Sequence, residues 1–315
     1  MHTNIVKDPS EAADYILRSE VVAFPTETVY GLGANVFDEK AVRKIFKLKK
    51  RPSDNPLIVH VSSISQVALL SVELNELALT LIQKFFPGPL TVIVKKNDIV
   101  PNAATAGLDT IAIRMPSSWI AQAFIKECGV PIAAPSANLS GSPSATGFEH
   151  VLNDFSGKIP CILIGPRTKY GIESTVVDCT SPIPAVLRPG VVTLEELKEI
   201  DKRISYRKIK GRAKSPGTKY KHYAPKARVK LLRSFSSVLG QAAYIGIDIN
   251  EDEFKDRCML YKNCIDEADY ARNLFSFFRQ CDIEGINTIY AQTVEEKGIG
   301  LAIMNRLKKA AGLKI

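Results

Sequence analysis

Short apolar runs and helix-spaced apolar positions alternate along this chain. Residues 21–24 form an apolar run that stops at Pro25. Residues 41–48 carry apolar side chains at Ala41, Val42, Ile45, Phe46 and Leu48, the spacing of a helix with one buried face. A buried strand is predicted over 57–61, directly after Pro56. A helix is predicted over 74–86, stopped by Pro87-Gly88-Pro89. Residues 90–94 and 110–115 are rich in β-branched side chains and read as strands, and 132–134, 161–164, 175–177 and 186–187 continue the series. Several of these strands are joined by short turns, so an α/β fold on a mixed sheet is expected rather than a purely parallel one.

A short helix over 193–200 closes this first series. A second alternation begins after Ala227, with strands over 229–232, 243–249, 259–261 and 288–291 and helices over 267–280 and 301–311. The organisation expected is a first domain over 1–203, a linker over 204–227 and a small α/β domain over 228–315.

Charge sharpens the middle of that scheme. The chain has 315 residues and a formal charge of +9, yet residues 202–230 hold about twelve Lys and Arg and no Asp or Glu. The remainder is therefore slightly acidic. Such a stretch suits a solvated linker, a nucleic-acid arm, or a segment that closes over a polyphosphate, and composition does not choose among them. No apolar run reaches the eighteen residues of a membrane span, and residues 1–10 lack the apolar core of a secretory signal, so a cytoplasmic protein is expected. The six cysteines are scattered with no CxxC pair, and they read as reduced, buried thiols. No metal-ligand cluster is expected.

Four clusters carry candidate chemistry. In residues 24–33 a strand ends at Pro25 and small polar residues follow at the strand's carboxyl end, where open α/β sheets bind ligands; the plainer reading is a turn with Thr26 or Thr28 capping a helix. In residues 47–60 a helix ends in Lys47, Lys49, Lys50 and Arg51. Arg51, pinned before Pro52, suits bidentate grip of a phosphate. His60 ends an apolar strand, where a lone histidine is more often a satisfied core residue. In residues 133–144 an apolar run opens into a loop of small hydroxyl residues able to cradle phosphate oxygens, or else into a turn with Ser144 capping the next helix. Arg114, at the tip of a buried strand, requires a carboxylate from protein or substrate. Arg188, before Pro189, repeats the arrangement. Three such arginines suit a polyanion and a carboxylate.

Together these stretches resemble the threonylcarbamoyl-AMP synthase family in its longer, two-domain form. The resemblance rests on Pro25-Thr26-Glu27-Thr28-Val29-Tyr30-Gly31-Leu32, on Lys49-Lys50-Arg51-Pro52 through Asn55-Pro56-Leu57-Ile58-Val59-His60, and on Ala134-Pro135-Ser136-Ala137-Asn138-Leu139-Ser140-Gly141. The linker, residues 215–225, and the ending, 298–307, resemble the long form specifically. The resemblance implies a YrdC-like twisted mixed sheet around a central positive cavity, followed by a smaller Rossmann-like domain. It implies a nucleotidyltransferase that makes L-threonylcarbamoyladenylate and pyrophosphate from L-threonine, bicarbonate and ATP with Mg²⁺. A downstream threonylcarbamoyl-transfer enzyme complex then modifies tRNA; a weak tRNA contact by this chain, through the basic linker, is a separate expectation. By motif, Thr28, His60, Arg114, Ala134 and Ser174 are expected at threonine. Arg51, Asn55, Thr110, Ser136, Asn138, Ser144, Arg188, Tyr220 and Tyr223 are expected at ATP, with Lys49 and Arg51 as the catalytic cations. Closure of the basic linker over ATP is a further expectation.

Overall fold

The computed structural model describes residues 1–207, 223–235, 240–255 and 257–313. Of the linker expected over 204–227 to close over the nucleotide, residues 208–222, Tyr220 among them, lie outside these; Tyr223 lies within. The first sheet and its helices run β1 (Asn4–Val6), α1 (Pro9–Leu17), β2 (Val22–Phe24), β3 (Gly31–Asn35), α2 (Glu39–Lys49), β4 (Ile58–His60), α3 (Ile64–Leu70), α4 (Glu76–Phe85), β5 (Leu90–Lys95), α5 (Asn102–Thr105), β6 (Thr110–Arg114), α6 (Trp119–Cys128), β7 (Ile132–Ala134), α7 (Phe148–Phe155), β8 (Cys161–Leu163), β9 (Thr175–Asp178), β10 (Ala185–Arg188), α8 (Leu194–Ile200) and β11 (Ser205–Tyr206). Among the described residues its strands lie in the order β1-β8-β2-β3-β7-β4-β6-β5-β9-β10-β11. Parallel pairs such as β4–β6 and antiparallel pairs such as β5–β6 make it the mixed sheet expected. It extends to Tyr206, past the boundary at 203 read from the sequence.

Local chemistry explains why the elements stop where they do. Asp38 caps α2 by accepting from the Ala41 amide, and Lys50 ends the helix in the left-handed region at φ 51°, with the Arg51 amide returning to the Phe46 carbonyl. The buried stripe of α2 is Ala41, Val42, Ile45, Phe46 and Lys49, so a lysine occupies a core position. Gly31 and Gly33 lie in strand β3 rather than in a turn. A Cβ on Gly33 would stand 2.5 Å from Ile132 and 2.8 Å from the Phe24 ring, so the aromatic ring of β2 takes the space a side chain would need.

The second unit runs β12 (Arg228–Leu232), β13 (Ala243–Ile247), α9 (Glu251–Phe254), β14 (Leu260–Cys264), α10 (Glu267–Ile283), β15 (Thr288–Gln292) and α11 (Ile299–Ala310). Its sheet has the order β12-β15-β13-β14, all pairs parallel, over a core of Tyr270, Leu274, Phe275, Phe278, Ile303 and Leu307. This is the smaller α/β domain on a second, parallel sheet that was expected. The two units are tied by buried ion pairs: Arg279 on α10 meets Asp154 on α7 at 2.8 Å, and Arg306 on α11 meets Glu173 at 3.1 Å. Gly171 allows the close approach, because a Cβ there would stand 2.4 Å from the Arg272 carbonyl oxygen.

Candidate active site

Strand register gathers the polar residues of the first sheet. His60 and Arg114 are partners at the carboxyl ends of parallel β4 and β6, and Ala134 ends the neighbouring antiparallel β7. Ser174 precedes β9, and Arg188 ends β10, which returns antiparallel beside it. A cavity of about 50 Å³ lies among these ends, lined by Thr26, Thr28, Tyr30, Arg51, His60, Arg114, Ala134, Ser136, Glu173, Ser174, Arg188 and Tyr223 among others.

Each charged group in it is fixed. Arg114 Nη1 donates to Thr28 Oγ1 at 2.8 Å, Nε donates to the Gly88 carbonyl at 3.3 Å, and Nη2 lies 2.7 Å from Glu27 Oε1. Glu27 is thus the protein carboxylate that the buried strand-tip arginine required. Arg188 donates from Nε to the Ser174 carbonyl and from Nη2 to Ser174 Oγ, both at 3.0 Å, and Ser174 Oγ is 2.8 Å from Thr91 Oγ1. Arg51 donates to the carbonyls of Asn55 and Pro56, each at 3.1 Å from Nη2. That clasp orients the guanidinium beyond the end of α2.

His60 is buried, edge-on to the Phe24 ring at 5.8 Å between centroids. Burial, then the Arg114 charge, pushes its pKa down to about 3, so the ring is neutral at physiological pH. Its Nδ1 finds no hydrogen-bond partner among the described residues. It lines the cavity.

Other expected residues stand behind or beside the cavity. Lys49 does not line it. Its Nζ donates to the Ser136 carbonyl at 2.6 Å and to the Asn138 carbonyl, so it holds the 136–138 loop from below. Burial, then the nearby Arg51 charge, pushes its ammonium well below the usual lysine range. Asn138 accepts from the Ser136 hydroxyl and donates to the Leu139 and Ser142 carbonyls, folding the loop on itself. Ser144 does not cap a helix. Gly147 is the N-cap of α7, and the Ser144 hydroxyl donates to Glu173. Likewise neither Thr26 nor Thr28 caps a helix; Thr26 closes a local turn by donating to the Val29 carbonyl at 2.7 Å. Thr110 opens β6, about 13 Å along that strand from Arg114. Asn55 is buried near that end with both side-chain polar atoms unpartnered among the described residues.

Glu27, Tyr30, Glu173 and Arg306 were not singled out from the sequence. Arg306 had a signal: it falls on the stripe of Ala302, Ile303, Leu307 and Ala310, and a lone arginine on an apolar stripe needs a buried partner. Tyr223, from the end of the linker, lies 5.2 Å from Phe275, stacked between the cavity and the second core.

In and behind the cavity, the guanidiniums of Arg51, Arg114, Arg188 and Arg306 outnumber the carboxylates of Glu27 and Glu173. The field favours an anion. Among the described residues no three His, Cys, Asp or Glu side chains converge as a metal site.

Residues 14–190 match the sequence model of the Sua5/YciO/YrdC family, described as telomere recombination, so the fold and cleft define an α/β enzyme of the YrdC class. Residues 192–312 match the model of the threonylcarbamoyl-AMP synthase C-terminal domain. The threonylcarbamoyl-AMP synthase of Pyrococcus abyssi is 45% identical over 321 residues, covering 96% of this chain and 94% of the relative, and that of Bacillus subtilis is 43% identical, covering 97% and 93%. The crystal structure of P. abyssi Sua5 complexed with L-threonine superposes with a TM-score of 0.90 at 42% identity, covering all of both chains. This chain belongs to the threonylcarbamoyl-AMP synthase family.

Proposed function

We propose that the chain condenses L-threonine, bicarbonate and ATP into L-threonylcarbamoyladenylate and pyrophosphate, which a second enzyme uses to modify tRNA. The observation that carries the reading is the convergence of Arg51, Arg114 and Arg188 with Ser136, Ser174 and a neutral His60 on one cavity. The chemistry asks for that set. The threonine amine adds to bicarbonate to give a carbamate and water. A carbamate oxygen then attacks the α-phosphorus, and pyrophosphate leaves. No protein nucleophile is needed; the enzyme must align two anions and neutralise charge on the leaving group.

Arg114 and Thr28 are placed for the threonine carboxylate, with Ala134 and Ser174 beside it. A histidine held at about 3 is too weak a base to keep an ammonium proton, so His60 serves as a neutral hydrogen-bonding group. Arg51, Ser136 and Arg188 are placed for the phosphates. Asn55, just before β4, and Thr110, at the start of β6, lie toward the other end of these strands, where the nucleoside end would extend. Lys49 acts through the loop it pins. Mg²⁺ arrives as part of the ATP substrate, consistent with Glu27 and Glu173 already being engaged by arginines. A nucleotide is larger than the present cavity and extends beyond it.

Mass spectrometry of the product from ATP, labelled bicarbonate and threonine tests the reading. The label is expected in an adduct holding both AMP and threonine. Pyrophosphate release that persists undiminished without threonine rules the reaction out.

A further inference from the structure

The cleft contains a carboxylate that a polyanion site should not tolerate. Glu173 lines the cavity beside Arg188 and is 5% exposed. Its Oε1 accepts from the Ser144 hydroxyl. Its Oε2 accepts from Arg306, at 3.2 Å from Nε and 3.1 Å from Nη2. Arg306 comes from α11 of the second unit and is 0% exposed. The same guanidinium donates through Nη1 to the Pro189 carbonyl, and Nη2 lies 3.4 Å from the Glu173 carbonyl. It therefore grips the chain next to Ser174 and next to Arg188, two residues that face the cavity.

Two roles separate here. A docking pair would fasten the second unit and do nothing else. A compensating pair would also let phosphates sit near Glu173, because an unpaired buried carboxylate repels them. The position of Glu173 in the cleft wall favours the second. Burial alone would raise the Glu173 carboxyl, but the Arg306 and Arg188 charges and the Ser144 hydrogen bond outweigh it and hold the group ionised. The negative charge is present and must be matched.

We infer that Arg306 is a positioning residue for the nucleotide: the second unit inserts one guanidinium that neutralises Glu173 and fixes the 173–174 and 188–189 segments around the phosphates. This rests on the proposed use of ATP at this cleft.

Calorimetric titration of the full chain with Mg·ATP tests it without requiring turnover. Arg306→Met is expected to weaken ATP binding at least about tenfold, since it removes the ion-pair partner of the buried Glu173. The double variant Glu173→Gln with Arg306→Met is expected to regain at least about threefold of that loss, because removing both members of a buried pair is often tolerated. In turnover the loss should fall mainly on KM for ATP rather than on kcat. An Arg306→Met affinity within tenfold of wild type overturns the inference, as does a folded double variant that regains less than threefold. Where thermal unfolding shows that Arg306→Met is not folded, the double variant decides alone: within about tenfold of wild type supports the inference, and weaker overturns it. Wild-type protein that binds ATP yet makes no adenylate removes the proposed reaction and leaves this inference standing. Wild-type protein with no affinity for ATP removes both.

Discussion

The two α/β units use their buried charges in opposite ways. In the first, Arg114 and Arg188 sit at strand ends and Arg51 just past a helix end, all turned toward one cavity. In the second, the buried arginines Arg279 and Arg306 sit on helices and leave their own core to meet Asp154 and Glu173 of the first unit. A parallel sheet therefore does not by itself make a site. What matters is whether polar side chains converge on open space or on a partner's carboxylate. By this reading the second unit is a structural arm of the first unit's cleft.

Arg114→Met strikes the cleft directly. With Thr28 and Glu27 left facing an apolar side chain, kcat/KM for threonine should fall about 10²- to 10³-fold, read from initial rates of pyrophosphate release. A fall below tenfold would move the carboxylate site elsewhere. Phe275→Ala strikes the second core. Deleting this fully buried ring should cost about 3–5 kcal/mol in urea unfolding. Because Tyr223 stacks on it, ATP affinity should fall too, and an unchanged affinity would make the second unit a passenger.

Tyr223→Ala isolates that contact, with an expected loss of roughly tenfold in ATP affinity and a smaller one for Tyr223→Phe. The smallest effect is a pH dependence within the first unit. Burial lowers the pKa of His60 to about 3 and of His150 to about 4, both from 6.5. His150 Nδ1 accepts from the Thr146 amide at 3.1 Å, which needs the unprotonated ring. The folded chain thus binds fewer protons than the unfolded one in this range. Stability is fully present above pH 6.5 and is lost as pH falls toward 4 and then 3. His150→Gln should flatten the upper part of that loss in unfolding curves measured from pH 7 to 4; an unaltered slope would show that His150 does not drive it.

Much of the first unit was legible because its signals are local. The apolar stripe of α2, the proline-stopped helix before β5 and the β-branched runs of β5 and β6 each depend on residues within one element. The glycines at 31 and 33 have a tertiary reason that no local pattern gives: they are strand residues emptied to admit Phe24. Lys49, expected from the family motif as a catalytic cation, lies on the buried stripe of α2 beneath the 136–138 loop.

The order of residues was enough to determine most of the strands, the mixed α/β plan, the family and the motifs from which the cleft is built, because periodicity and short motifs act over a few residues. Tertiary structure alone decided which carboxylate meets which arginine. Glu27 reaches Arg114, and Glu173 reaches Arg306 across 133 positions of chain. A buried charge is settled by whatever the fold packs against it, and no local pattern encodes a neighbour that distant.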